Sequence, residues 1–181
     1  MRAFPGLRMA AGVRLARFRW RKTPDTLVSF TGALSRARTA LLIMPLKRRE
    51  FLPALGVIEL LRERIPERGV TILSDDHGRE AMRALPFGHF IHLLEEDLTP
   101  LYLPRQPMLN RVLQQKFDIA IDLNLDLILP SAYICRASDA RVRVGFAREG
   151  SDPFYNLQIQ PDRTLPRKHL YDRMAKFLQM F

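Results

Sequence analysis

The sequence predicts an α/β fold, a mainly parallel sheet with helices on both faces. Phe117-Asp118-Ile119-Ala120-Ile121-Asp122-Leu123-Asn124 and Val142-Arg143-Val144-Gly145-Phe146 each read as a short buried strand, and a helical run from Leu127 to Ala137 separates them. That is a β-α-β crossover, the repeating unit of a parallel sheet. Ala40-Leu41-Leu42-Ile43-Met44 is a continuous apolar run, as expected of a central strand covered on both sides.

In chain order, a helix is expected from about Leu7 to Lys22, stopped by Thr23-Pro24. Leu7, Ala11, Leu15 and Phe18 share one stripe of it, whereas Met9, Val13 and Trp20 lie opposite, so its apolar residues are poorly gathered on one side. A second helix covers Thr26 to Arg36, with Asp25 as its cap. After the strand at 40–44, the loop Pro45 to Arg49 feeds a helix to about Arg64, with Pro53 in its first turn and Pro66 and Gly69 ending it. Leu55, Ile58 and Leu61 keep helical spacing toward the sheet. Val70 to Leu73 and Phe90 to Leu94 are the next strands, with a short helix holding Glu80, Ala81, Met82 and Leu85 between them. A Pro-rich loop at Pro100, Pro104 and Pro107 precedes a helix from Met108 to Lys116 and the 117–146 unit. Tyr155, Leu157 and Ile159 alternate with polar residues, as in a strand near a sheet edge. Leu170, Met174, Phe177, Leu178 and Phe181 mark a closing amphipathic helix.

A chain of 181 residues suits one domain. We divide it into a basic arm, residues 1–37, and an α/β domain, residues 38–181. No apolar run approaches the ~20 residues that span a bilayer, and the start lacks the apolar segment of a secretory signal. The single cysteine, Cys135, fits a reducing compartment and reads as a core residue. The expected location is cytoplasmic and bacterial, or peripheral on the inner membrane. The net charge of +10 is uneven: residues 1–50 hold 12 Lys and Arg against Asp25 and Glu50, whereas residues 51–181 hold 17 of each sign. The body is neutral and the front carries the excess.

Lys47, Arg48 and Arg49 stand where a parallel strand ends and a helix begins, the edge at which open α/β sheets bind ligands. They are candidates for an anion site, for phosphate, a lipid head group or an acidic surface; a solvated loop is the alternative. Asn124 and Asp126, just beyond the carboxyl end of the strand at 117–123, are cleft candidates, with helix capping as the alternative. His89 and His92 are three apart on a strand and point to opposite faces, so no metal is expected even with Glu95, Glu96 and Asp97 nearby. Asp75 and Asp76 end a strand as ribose-binding acids do, but no Gly-x-Gly-x-x-Gly accompanies them, and no cofactor is expected. In the arm, Arg8, Arg14, Arg17, Arg19, Trp20, Arg21 and Lys22 are candidate contacts. An anionic membrane surface, an acidic protein partner and nucleic acid all suit them, as does an organellar transit function. Nucleic acid ranks below the first two because no aromatic platform or nucleic-acid signature accompanies the arginines.

Leu52-Pro53-Ala54-Leu55 in the first helix, Phe117 to Leu123, Arg143 to Phe146 and His169-Leu170-Tyr171 come in an order that resembles the amino-terminal, acceptor-side half of the ADP-heptose:lipopolysaccharide heptosyltransferases, glycosyltransferase family nine. The resemblance covers about residues 38–181 and implies a Rossmann-like domain, one half of a GT-B fold. It also implies a carboxylate as general base in the first loop, but this chain has Lys47 there, with Glu50 displaced by three residues. A protonated lysine cannot replace a carboxylate. The family's donor-binding half would follow where this sequence ends. The expected function is therefore a non-catalytic binding or accessory subunit, held by its arm to an anionic membrane or a larger assembly. A half-transferase completed by a separate donor-binding chain, with Glu50 as base, is the alternative; a nucleic-acid-associated protein is a further one.

Overall fold

The computed structural model describes residues 5–21, 30, 32–76, 78, 87–162 and 164–180. Six strands form one sheet: β1 (Ala40–Ile43), β2 (Val70–Ser74), β3 (His89–His92), β4 (Ile119–Asp122), β5 (Val142–Phe146) and β6 (Leu157–Ile159). Their order is β3-β2-β1-β4-β5-β6, with every neighbouring pair parallel. The α/β, Rossmann-like fold read from the sequence is the fold of the molecule, and β6 takes the edge.

Among the described residues, the helices with defined bounds are α1 (Pro5–Trp20), α2 (Ala33–Arg36), α3 (Arg48–Arg64), α4 (Gln106–Val112), α5 (Leu129–Ala137) and α6 (Arg167–Gln179). Successive strand residues point to opposite faces, so the sheet separates two cores. Ala40, Leu42, Ile72, Ile121 and Val144 join the first core with α3 and α6; Leu41, Ile43, Leu73, Ile91 and Ala120 join the second with α4, α5 and residues of α1. The link from β5 to β6 has no helix, and Phe154 and Tyr155 supply buried rings to the second core there.

One expectation is corrected. Pro53 lies inside α3, not in its first turn, because the helix already begins at Arg48. Its missing N–H would have served the carbonyl of Arg49, still close to the helix start. The helix of the basic arm packs on the body. In α1, Ala16 is fully buried, and the Trp20 ring lies 4.6 Å from that of Tyr133 and 6.1 Å from that of Phe154. Gly12 permits this approach, since a Cβ there would come within 2.3 Å of the Leu101 carbonyl oxygen and 2.6 Å of Leu129 Cδ2. The expected helix around Glu80, Ala81, Met82 and Leu85, the Asp25 cap and the start of the second helix lie outside the described residues.

Candidate functional site

Strand order reverses beside β1, so the crevice outside the carboxyl ends of β1 and β4 is the topological switch point of the sheet. The loop after β1 carries Lys47, Arg48 and Arg49, and the loop after β4 carries Asn124 and Asp126. Asn124 ties the two loops together. Its Oδ1 accepts the Leu46 N–H at 3.0 Å, and its Nδ2 donates to Asp122 Oδ1 at 2.7 Å. Neither Asn124 nor Asp126 caps α5, whose N-cap is Ile128 without a side-chain hydrogen bond.

Below this crevice Asp118, just before β4, and Asp122, its last residue, pin the strand at each end. Asp118 accepts the N–H groups of Arg38 and Thr39 at 2.8 and 3.0 Å and the Thr39 hydroxyl at 3.1 Å. Burial tends to raise its pKa, but these hydrogen bonds outweigh it and hold the carboxyl below its ordinary value. Asp122 is buried and accepts the Tyr155 hydroxyl at 2.7 Å. Burial pushes its pKa up to about 6, against the lowering effect of the Asn124 and Tyr155 hydrogen bonds. Gly145 leaves room for the Tyr155 ring, which would stand 2.7 Å from a Cβ at that position. From α6, Tyr171 donates its hydroxyl to the Leu123 carbonyl at 2.7 Å. Burial, and next the charge of Glu50, push the Tyr171 phenol far above its ordinary pKa.

The charged rim sits above. Lys47 Nζ pairs with Asp126 Oδ2, and Arg148 Nε lies 4.0 Å from Asp126 Oδ1. The three expected cations thus divide: Lys47 turns to Asp126, whereas Arg48 and Arg49 are exposed on the first turn of α3. Glu50 is only 2% exposed and points inward, within 3.4 Å of the Leu125 N–H. An open polar hollow of about 400 Å³ adjoins this rim, lined by Arg148, Glu149, Asp152, Gln158 and Gln160. The rim can hold an anion through exposed guanidinium groups, and it offers Asp126 as a carboxylate already facing two cations.

Sequence reasoning missed Arg148, Tyr155 and Tyr171. Their partners stand 22, 33 and 48 positions away, and no local pattern signals such pairings. Cys135 is a buried core residue, and burial followed by the nearby Asp122 charge pushes its thiol well up, away from nucleophilic use. On β3, His89 is exposed and His92 half-buried. Among the described residues no three His, Cys, Asp or Glu side chains are placed to share a metal ion. In the arm, Arg14, Arg17, Arg19 and Arg21 are exposed and Arg8 is half-buried. Trp20 is half-buried and packs on Tyr133, and Lys22 lies outside the described residues.

Two solved structures share this fold. A family 9 glycosyl transferase from Veillonella parvula superposes with a TM-score of 0.62 at 18% identity, over 84% of this chain and 44% of that one. The E. coli heptosyltransferase WaaC, solved with ADP, superposes with a TM-score of 0.59 at 15% identity, over 77% of this chain and 46% of that one. The chain spans less than half the length of either, and its fold is that of one half of a GT-B glycosyltransferase. No curated protein matches the sequence. The model of a family of unknown function, DUF6913, matches residues 89–181. Since that match covers more than half of the chain, from β3 to its last residue, the protein belongs to the DUF6913 family.

Proposed function

We propose that this chain is a binding or accessory domain built on a glycosyltransferase-like half, which does not transfer sugar by itself and is held through its basic α1 to an anionic membrane face or a larger assembly. One observation carries the first part. Where the resemblance calls for a carboxylate after β1, Lys47 stands paired with Asp126, and the nearest acid on the loop, Glu50, is 2% exposed beneath Leu125. A general base must reach the hydroxyl it deprotonates, and a carboxylate so enclosed does not. Arg48 and Arg49 remain exposed at the rim to receive an anionic group.

The transferase reading draws support from the fold, which superposes on one half of two glycosyltransferases. One experiment tests both readings. Incubated with ADP-heptose and other nucleotide sugars and a lipid A-core acceptor, the purified chain is expected to give no turnover above background. Reproducible turnover that disappears in Glu50→Gln or Asp126→Asn would overturn the binding role and establish the transferase.

A further inference from the structure

The apolar residues of α1 form two stripes on opposite sides of the helix, and the structure gives each stripe a different fate. The inner stripe packs on the body through Gly12, Val13, Ala16 and Trp20, while Met9 at its amino-terminal end is 41% exposed. The outer stripe, Leu7, Ala11, Leu15 and Phe18, stays in solvent, with Leu7 67%, Leu15 48% and Phe18 59% exposed. At 100° per residue, Arg14 and Arg21 border the outer stripe on one side, and Arg8 and Arg19 border it on the other. Arg21 already lies over the Phe18 ring, its Cζ 3.9 Å from the centroid.

We propose that the outer face of α1 is a docking surface for an anionic phospholipid bilayer, on which the helix lies flat while its inner face stays packed on the body. The inference rests on the role given to α1 above and not on the lack of sugar transfer. A narrow apolar stripe reaches the boundary between head groups and acyl chains, and the arginines beside it stay level with the phosphates, their stems lying along the apolar surface. The composition favours lipid over protein. Residues 5–21 contain only apolar residues, glycine, proline and arginine. Every charge in that stretch is an arginine, with no acid to match basic groups on a protein surface, and a face of one sign suits a continuous layer of lipid phosphates. A second copy is a worse occupant still, since pairing two outer faces would set arginine rows against each other with no acid in either helix.

The test uses the full chain and vesicles of phosphatidylcholine, alone or with about 30% phosphatidylglycerol as the anionic lipid. Binding is expected only with phosphatidylglycerol and should weaken as salt rises. Leu15→Ser with Phe18→Ser should reduce it about tenfold at unchanged charge, and Arg14→Gln with Arg21→Gln by roughly tenfold or more. These side chains are exposed, so circular dichroism should show the fold retained. Trp20 is the single tryptophan and lies on the inner face, so brominated lipid should leave its emission unquenched, whereas Phe18→Trp should add a quenched component. Undiminished binding by the serine variant would overturn the proposed face, and quenching of Trp20 would overturn the docked geometry. Indifference to anionic vesicles, with an acidic protein retained by the wild type and lost from the serine variant, would replace the bilayer by that partner. Sugar turnover by the same preparation would remove the proposed function and leave the vesicle result standing.

Discussion

Asp122 shows how one buried carboxyl couples the candidate site to stability. Enclosure pushes its pKa up to about 6 from an ordinary 3.8. Between those values the native state keeps a proton that the unfolded chain has released, so stability falls as pH rises through that window and levels off above it. The two-unit displacement corresponds to a loss on the order of 2–3 kcal/mol between pH 4 and pH 7. Asp118, held below its ordinary value, acts in the opposite sense at lower pH, so comparison with a variant is needed to isolate Asp122. Asp122→Asn cannot titrate. Urea melts at pH 4.5 and 7 should show wild type losing stability relative to Asp122→Asn as pH rises; parallel pH dependences would refute this role. The structure buries Asp122 and leaves Asp118 exposed at the strand entrance, a difference that two aspartates four residues apart do not reveal in sequence. The hydroxyl of Tyr155, which meets Asp122 from beyond the next strand, was not legible. It depends on Gly145 being empty of a side chain, which no periodicity records.

Among the elements, α1 separates what an apolar pattern can tell from what it cannot. The parallel strands were legible because continuous apolar runs such as 40–44 require cover on both faces. The docked face of α1 was not, because Gly12 and Ala16 make the contact by being small and scarcely stand out among larger apolar neighbours. Gly12→Ala tests that contact with two effects of opposite sign. Alanine favours the helix by roughly 1 kcal/mol, but its Cβ would stand 2.3 Å from the backbone oxygen of Leu101. Backbone yields less readily than the end of a side chain, so the overpacking cost of about 1–3 kcal/mol is expected to win. The variant should melt earlier, with a changed Trp20 emission as its ring shifts on Tyr133. A gain in stability would mean that α1 sits farther from the body than the fold indicates. The division of Lys47 from Arg48 and Arg49 follows the same logic. Three consecutive cations look alike in sequence, and only the loop after β4 selects which one meets Asp126.

At the scale of the whole molecule, charge and packing meet in the same short segment. Removing residues 1–24 takes away seven cations and no acid, lowering the net charge from +10 to +3. The sequence alone leads one to expect an indifferent body, since most of the sheet and its helices lie elsewhere. The structure assigns a cost: the buried Ala16 and the Trp20 ring cover Tyr133 and Phe154, which would then meet water. Loss of that cover is worth about 2–4 kcal/mol by comparison with large-to-small core substitutions. Relief of repulsion among surface cations returns little of it. A domain of this size is stable by roughly 5–15 kcal/mol, so the truncated chain should still unfold cooperatively, at a clearly lower denaturant midpoint. Its affinity for anionic vesicles should disappear together with the salt dependence. An unchanged midpoint would show that the inner face of α1 contributes nothing to stability. Absence of any cooperative transition would make α1 indispensable to the core, and its two faces would then be one structural unit whose outer side is free to meet a bilayer only because the inner side must stay in place.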